Sequence, residues 1–189
     1  MADTRDNALL RSMWCRADIE RAAVGMYHRG SSIYAQVIYQ MKFARQPQHA
    51  LATIRHLLQH PHFTNWCRQC NIIVPVPTTQ WRRWVRGYNP AALIAGEMAH
   101  TCSMPIMEHA LRRRKGRRQA RSTVEERINL NGLHFTAQPE LHSLPQGTHI
   151  LLVDDVATTG TTLSACAIAL KNMRPDIKIS VFALAWAGE

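Results

Sequence analysis

The stretch His149-Ile150-Leu151-Leu152-Val153-Asp154-Asp155-Val156-Ala157-Thr158-Thr159-Gly160-Thr161-Thr162 constrains this chain more than any other part of it. An apolar run over His149–Val153 predicts a buried strand, and Leu163, Ala167 and Leu170 at helical spacing predict a helix over Thr161–Met173. The strand delivers two adjacent carboxylates to its carboxyl end, where α/β sheets place their ligands. Backbone amides in the following turn and the positive end of the helix dipole make an anion site. Thr158, Thr159, Thr161 and Thr162 add hydroxyls, and Gly160 lets the backbone approach an anion closely. Two carboxylates beside such a nest would repel a bare phosphate. They suit a ligand with hydroxyls to donate, or a bridging Mg²⁺. A ribose 5-phosphate satisfies both demands.

The rest of the chain supplies alternating strands and helices, which implies a mainly parallel α/β sheet. Ser31-Ser32 reads as a helix cap before Tyr34, Val37, Ile38 and Met41 on one helical face, and a second helix is expected from Gln48 to His60, closed by Pro61. Ile72–Pro77 reads as a short buried strand stopped by prolines, Pro90 opens a helix through Met98, and Ile106–Leu111 reads as a strand. Leu111–Arg121 is a basic run without apolar periodicity and is expected to be a solvated loop. Glu125–Leu130 is ambiguous, Leu133–Phe135 reads as a short strand, and Ile177–Leu184 as the last one. The whole, residues 1–189, is expected to be a single domain: 1–70 an N-terminal helical portion, 71–189 the core carrying the acidic pair and loop.

The order of apolar strand, Asp154-Asp155 and Thr158-Thr159-Gly160-Thr161-Thr162 resembles the 5-phosphoribosyl-1-pyrophosphate (PRPP) signature of type I phosphoribosyltransferases. Ile73-Val74-Pro75-Val76-Pro77, Trp81–Asn89, and the series Arg113, Gln119, Glu126-Arg127, Asn129 and Phe135 are similar to the ComF/GntX family, and Met41-Lys42-Phe43 fits it as well. The resemblance implies the type I phosphoribosyltransferase fold, a mainly parallel central sheet flanked by helices. It implies that Asp154 and Asp155 accept from the ribose hydroxyls, directly or through water on Mg²⁺, while Ala157, Thr158, Thr159, Gly160 and Thr161 hold the 5-phosphate. It sets Thr78, Arg82, Arg86, Arg113 and Gln119 against pyrophosphate, with Leu111–Ser122 as a mobile loop closing over it. Arg86, with Asp154 and Asp155, is then a catalytic residue, stabilising charge on the leaving pyrophosphate.

The chain departs from the family pattern in two places. Many ComF relatives begin with a zinc ribbon of two Cys-x-x-Cys pairs, whereas here Cys15 is isolated and Cys67-Arg68-Gln69-Cys70 is a single pair elsewhere. A zinc site from Cys67, Cys70 and two of His56, His60 and His62 is one reading; incidental thiols beside surface histidines are the other. Enzymes acting on 6-oxopurines usually carry a carboxylate three residues after the second acid, where this chain has Thr158, which disfavours a 6-oxopurine as the acceptor.

Two functions of different kind stay open at this level. One is an enzyme transferring phosphoribose from PRPP to a nitrogen base or amine with Mg²⁺. The other is a non-catalytic PRPP- or nucleotide-binding accessory of DNA uptake that binds single-stranded DNA. The formal net charge of +10 over 189 residues favours anionic partners without choosing between them. Trp81, Trp84 and Tyr88 interleave with arginines, a pattern that either stacks on bases or packs at the edge of the site. Five scattered cysteines fit a reducing compartment, the start Met1–Asp6 has no apolar signal core, and the apolar run Ile179–Ala187 is far short of the roughly 20 residues a spanning helix needs. A cytoplasmic, soluble protein is expected, with no membrane partner, and the resembled families make a homodimer an open possibility.

Overall fold

The computed structural model describes residues 6–13, 17–27, 33–43, 46–114 and 134–188. In chain order its elements are helix α1 (Ala8–Met13), strand β1 (Arg21–Tyr27), α2 (Ile33–Lys42), α3 (Gln48–Leu58), α4 (Pro61–Cys67), β2 (Ile72–Pro75), α5 (Gln80–Arg86), α6 (Pro90–Cys102), β3 (Leu111–Arg114), β4 (His134–Ala137), β5 (His149–Ala157), α7 (Thr161–Met173) and β6 (Lys178–Trp186), with a 3-10 turn at Pro139–Ser143.

Strands β1, β6, β5 and β2 pair in that order, all parallel, and Ile106 adds one bridge beside Ile73 on the outer side of β2. A parallel sheet covered on both faces needs strands that are largely apolar, which is why β5 is apolar over Ile150–Val153 and β6 over Val181–Trp186. Successive side chains alternate between the faces. Ile150, Leu152, Ile179 and Val181 pack with Leu9, Leu10 and Met13 of α1 and Leu163, Cys166 and Leu170 of α7. Leu151, Val153, Phe182 and Leu184 pack with Ile54, Phe63, Trp66, Ile94 and Met98 on the other side. The layered architecture expected from the sequence is therefore present.

Several local expectations need correction. The portion 1–70 is not wholly helical, since β1 lies inside it and pairs with β6 from Arg21↔Ser180 to Tyr27↔Trp186. Pro61 does not simply end a helix; it opens α4, where its missing N–H costs nothing. Of the strand expected at Ile106–Leu111, residues 106–110 give only the Ile73–Ile106 bridge, because Met107 and Pro105 already satisfy the Ile73 backbone and the chain turns away at Glu108–Ala110 before β3 begins at Leu111. Leu111–Arg114 is not loop but a strand antiparallel to β4, with Arg113 opposite Phe135. Its partner strand carries apolar residues that the basic run lacks, so periodicity within the run could not reveal it. The segment after Val76-Pro77 is likewise helical over Gln80–Arg86, capped by Thr79, whose side chain accepts from the Arg82 N–H. The Ser31-Ser32 cap, Leu133, Glu125–Leu130, Glu126-Arg127, Asn129, Cys15 and residues 115–122 of the expected mobile loop lie outside the described residues.

Gly25 shows how tightly α3 sits on the sheet. A Cβ there would lie 2.8 Å from the Leu184 carbonyl oxygen and 2.9 Å from Leu57 Cδ1. Gly25→Val is expected to lower stability by about 1–3 kcal/mol through overpacking. A denaturant midpoint equal to that of the wild type would contradict this packing.

Candidate functional site

The site forms where the carboxyl ends of β2 and β5 lie side by side. β2 and β5 are in register from Ile72↔Ile150 to Pro75↔Val153, so Val76, just past the end of β2, lies level with Asp154, where β5 continues beside β6 alone. The Val76 N–H donates to the Val153 carbonyl at 2.8 Å, and Asn89 Nδ2 donates to the Val76 carbonyl at 3.0 Å, fixing the chain as it turns toward α5. The resulting cleft, about 140 Å³, is lined by Thr78, Arg82, Arg86 and Arg113 together with Asp154, Asp155, Thr162 and Lys42. A neighbouring cavity of about 250 Å³ shares Pro77, Thr78 and Asn89 with it and is lined further by Arg83, Tyr88, Glu108 and His109.

The acidic pair is held in strained electrostatic circumstances. Asp154 is buried opposite Ala183 of β6. Burial, and then the neighbouring Asp155 charge, push its carboxyl well above the ordinary 3.8. The Asp155 N–H donates to Asp154 Oδ1 at 2.8 Å, the Val156 N–H donates to Asp155 Oδ1 at 2.8 Å, and Lys42 Nζ lies 3.1 Å from Asp155 Oδ2. These contacts orient both carboxylates, but the one cation among them pairs with Asp155 and leaves the buried Asp154 without an ion pair among the described residues. Two hard oxygen donors set together fit Mg²⁺, which takes one or two carboxylates and keeps water or phosphate for its remaining positions.

Facing the acids is a concentration of positive charge. Arg82 and Arg86 are one turn apart on α5, and both line the cleft. The β3 alternation leaves Arg112 exposed and turns Arg113 inward, over the Phe135 ring at 5.5 Å. Burial, and then the charge of Arg82, lower the Arg113 guanidinium below its usual range. Three guanidiniums gathered in one cleft are arranged for a polyanion.

Of the residues expected from sequence, Thr78, Arg82, Arg86, Arg113, Asp154 and Asp155 therefore meet in one cleft. Ala157, Thr158, Thr159, Gly160 and Thr161 form the adjoining turn into α7, and Thr159 and Thr161 hydroxyls are hydrogen-bonded at 2.7 Å. Gln119 falls outside the described residues. Lys42 and Asn89 had no role assigned from sequence; both sit in elements whose only signal was membership in a matching run. The tryptophans depart from the edge-packing expectation. Trp81 and Trp84 are 69% and 76% exposed, with ring centroids 5.4 Å apart, while Tyr88 does pack, its hydroxyl donating to the Met41 carbonyl. Cys67 and Cys70 are both buried, and among the described residues no group of three or more His, Cys, Asp or Glu is placed to hold a metal ion. Nor is any helix among them long and apolar enough to cross a membrane.

Comparison with known proteins agrees with this geometry. Residues 84–188 match the phosphoribosyl transferase domain. Competence protein F of Haemophilus influenzae is 32% identical over 61% of this chain and 50% of its own length. DNA utilization protein YhgH of Escherichia coli K12 is 31% identical over 76% of this chain and 63% of its own length. Competence protein ComFC of Bacillus subtilis is 30% identical over 60% of this chain and 43% of its own length. The chain thus spans between two fifths and two thirds of the length of these relatives. With the parallel sheet, the acidic pair at its carboxyl edge and these matches together, the chain belongs to the phosphoribosyl transferase domain family, in its ComF branch.

Proposed function

We propose that this cleft binds PRPP with Mg²⁺ and transfers its phosphoribosyl group to a nitrogen base or amine, releasing pyrophosphate. The observation that carries the reading is the meeting of the Asp154-Asp155 pair, its first member buried, with Arg82, Arg86 and Arg113 in one cleft beside a threonine-rich helix start. PRPP has the matching parts: ribose hydroxyls for the acids, a 5-phosphate for Ala157–Thr161, and pyrophosphate for the arginines. Mg²⁺, held by Asp154 and Asp155 directly or through water, would neutralise part of the ligand's charge. In the transfer the bond from C1 to the pyrophosphate oxygen breaks, and its electron pair leaves on pyrophosphate. The acceptor nitrogen's lone pair forms the new bond at C1, and the proton this nitrogen gives up passes to the departing pyrophosphate. Arg86 and Arg82 stabilise the charge that grows on the leaving group, which is where a preorganised cation contributes most. This reading sets the chain in the cytoplasm.

Isothermal titration of PRPP with Mg²⁺ into the wild type and Asp155→Asn tests the binding. Micromolar affinity in the wild type that weakens about 10- to 100-fold in the variant is expected, the range a charge-assisted hydrogen bond supports. Pyrophosphate release on adding candidate bases then tests the transfer. An Asp155→Asn protein with unchanged affinity would remove the role given to that residue.

A second reading is favoured by one observation, the exposed Trp81–Trp84 pair on a helix that also carries Arg82, Arg83 and Arg86. Exposed indoles beside guanidiniums suit single-stranded DNA, whose bases stack and whose phosphates pair. Trp81→Ala/Trp84→Ala is expected to weaken binding of a labelled oligothymidylate by about 10-fold or more, from stacking worth roughly 1–3 kcal/mol per base. Neutralising Arg82 and Arg83 should flatten the salt dependence. Salt-independent or absent binding by the wild type would leave the enzyme reading alone.

A further inference from the structure

Three consecutive residues at the end of α2 each grip a different part of the cleft. The Met41 carbonyl accepts from the Tyr88 hydroxyl at 2.5 Å, Lys42 Nζ pairs with Asp155 Oδ2 at 3.1 Å, and the Arg86 guanidinium lies over the Phe43 ring at 5.7 Å. Phe43 is 67% exposed and rests against Tyr39 at 5.3 Å, so its position is set by these ring contacts rather than by burial in the core. Met41, in contrast, is buried and anchors the turn. The segment thus joins the α5–α6 connection, the acidic pair and the pyrophosphate-side arginine from outside the sheet.

A lysine in the last turn of a helix often does no more than face the carbonyl end of the dipole. Lys42 does something else. Its ammonium lines the cleft, and both it and Asp155 are mostly withdrawn from water, with side chains 23% and 14% exposed. A pair so placed loses hydration on both sides, so it is a poor device for stability alone. It is, however, the only cation among the described residues paired within 4.0 Å of either member of the acidic pair.

We infer that Lys42 is a positioning residue of the phosphoribosyl site: its ammonium holds the Asp155 carboxylate aimed into the cleft before ligand arrives, and it competes there with a divalent cation. The inference rests on the phosphoribosyl reading for the identity of the ligand, and on the Lys42–Asp155 contact for the rest. Met41 and Phe43 hold the ammonium at the height of the acids, so a free lysine elsewhere on α2 would not serve. Removing the ammonium has opposite consequences for two ligands. A bare divalent cation gains, because a competing charge has left. Anionic PRPP loses, because one positive charge of the cleft has left and Asp155 is no longer aimed.

Titration of Mn²⁺ alone, and of PRPP with Mg²⁺, into the full chain and its Lys42→Met, Lys42→Gln and Lys42→Arg variants tests this. Lys42→Met and Lys42→Gln are expected to bind Mn²⁺ about fivefold more tightly and PRPP with Mg²⁺ about tenfold more weakly, while Lys42→Arg stays within about twofold of the wild type for both. Loss of packing alone would weaken both ligands together and would overturn the inference, as would two unchanged affinities. A wild type that binds no PRPP, while Mn²⁺ binding still tightens in Lys42→Met, would uphold the Lys42 role at the acidic pair and overturn the phosphoribosyl reading.

Discussion

Asp154→Asn is expected to make the empty protein more stable and its site useless. The Asp154 carboxyl lies buried beside Asp155, and its proton affinity is raised well above the ordinary 3.8 by burial first and by Asp155 second. In the window between 3.8 and that raised value, the folded chain holds a proton the unfolded chain has released. Stability therefore falls as pH rises through this window. Asparagine carries no such slope, and its Oδ1 can still accept the Asp155 N–H that donates at 2.8 Å. The variant should gain about 1–2 kcal/mol at neutral pH, a rise of about 4 °C in unfolding temperature, and the gain should shrink toward pH 4. Adding PRPP with Mg²⁺ should raise the wild-type unfolding temperature and leave the variant where it was. Calorimetry across pH with and without ligand checks all of this. A variant less stable than the wild type at neutral pH would show that Asp154 is a structural acid rather than a strained functional one.

What could be read from sequence followed the kind of signal each element carries. β5, α7 and β6 were legible because their burial is written in their own residues: Ile150–Val153 is apolar throughout, Ile179–Leu184 is apolar but for Ser180, and α7 repeats at helical spacing. β1 was not, because Arg21-Ala22-Ala23-Val24-Gly25 has weak strand propensity, and its smallness serves the approach of α3. β3 was misread for a related reason: four residues, three of them arginine, become a strand through pairing with His134–Ala137. The candidate site divides in the same way. Asp154, Asp155 and the loop are contiguous, so their order alone exposed them, and Arg82 and Arg86 followed from their place after β2. Lys42 is 113 positions before Asp155 in the chain, and only the fold brings Nζ within 3.1 Å of the carboxylate.

Gly160→Ala is expected to cost about 2–3 kcal/mol and to abolish whatever the Ala157–Thr161 turn binds, for two separable reasons. Its φ of +67° lies in the left-handed region, where a Cβ costs roughly 1–2 kcal/mol. That Cβ would also come within 2.6 Å of Met13 Cγ and 2.7 Å of Ser12 Oγ, so α1 would have to withdraw from the turn. Met13 is fully buried in the same core as Leu163 and Leu170, and its movement would open that packing. The double variant Met13→Ala/Gly160→Ala separates the reasons. Removing the Met13 side chain leaves a cavity but relieves the Met13 share of the clash, leaving that with Ser12 Oγ, so the two changes together should cost less than their sum by about 1 kcal/mol. The backbone penalty stays, and with it the loss of the anion nest at the start of α7, so ligand binding should not return. Strict additivity in denaturant unfolding would mean that α1 does not bear on Gly160. Recovery of PRPP binding in the double variant would mean that the clash, and not the left-handed turn, is what the glycine avoids.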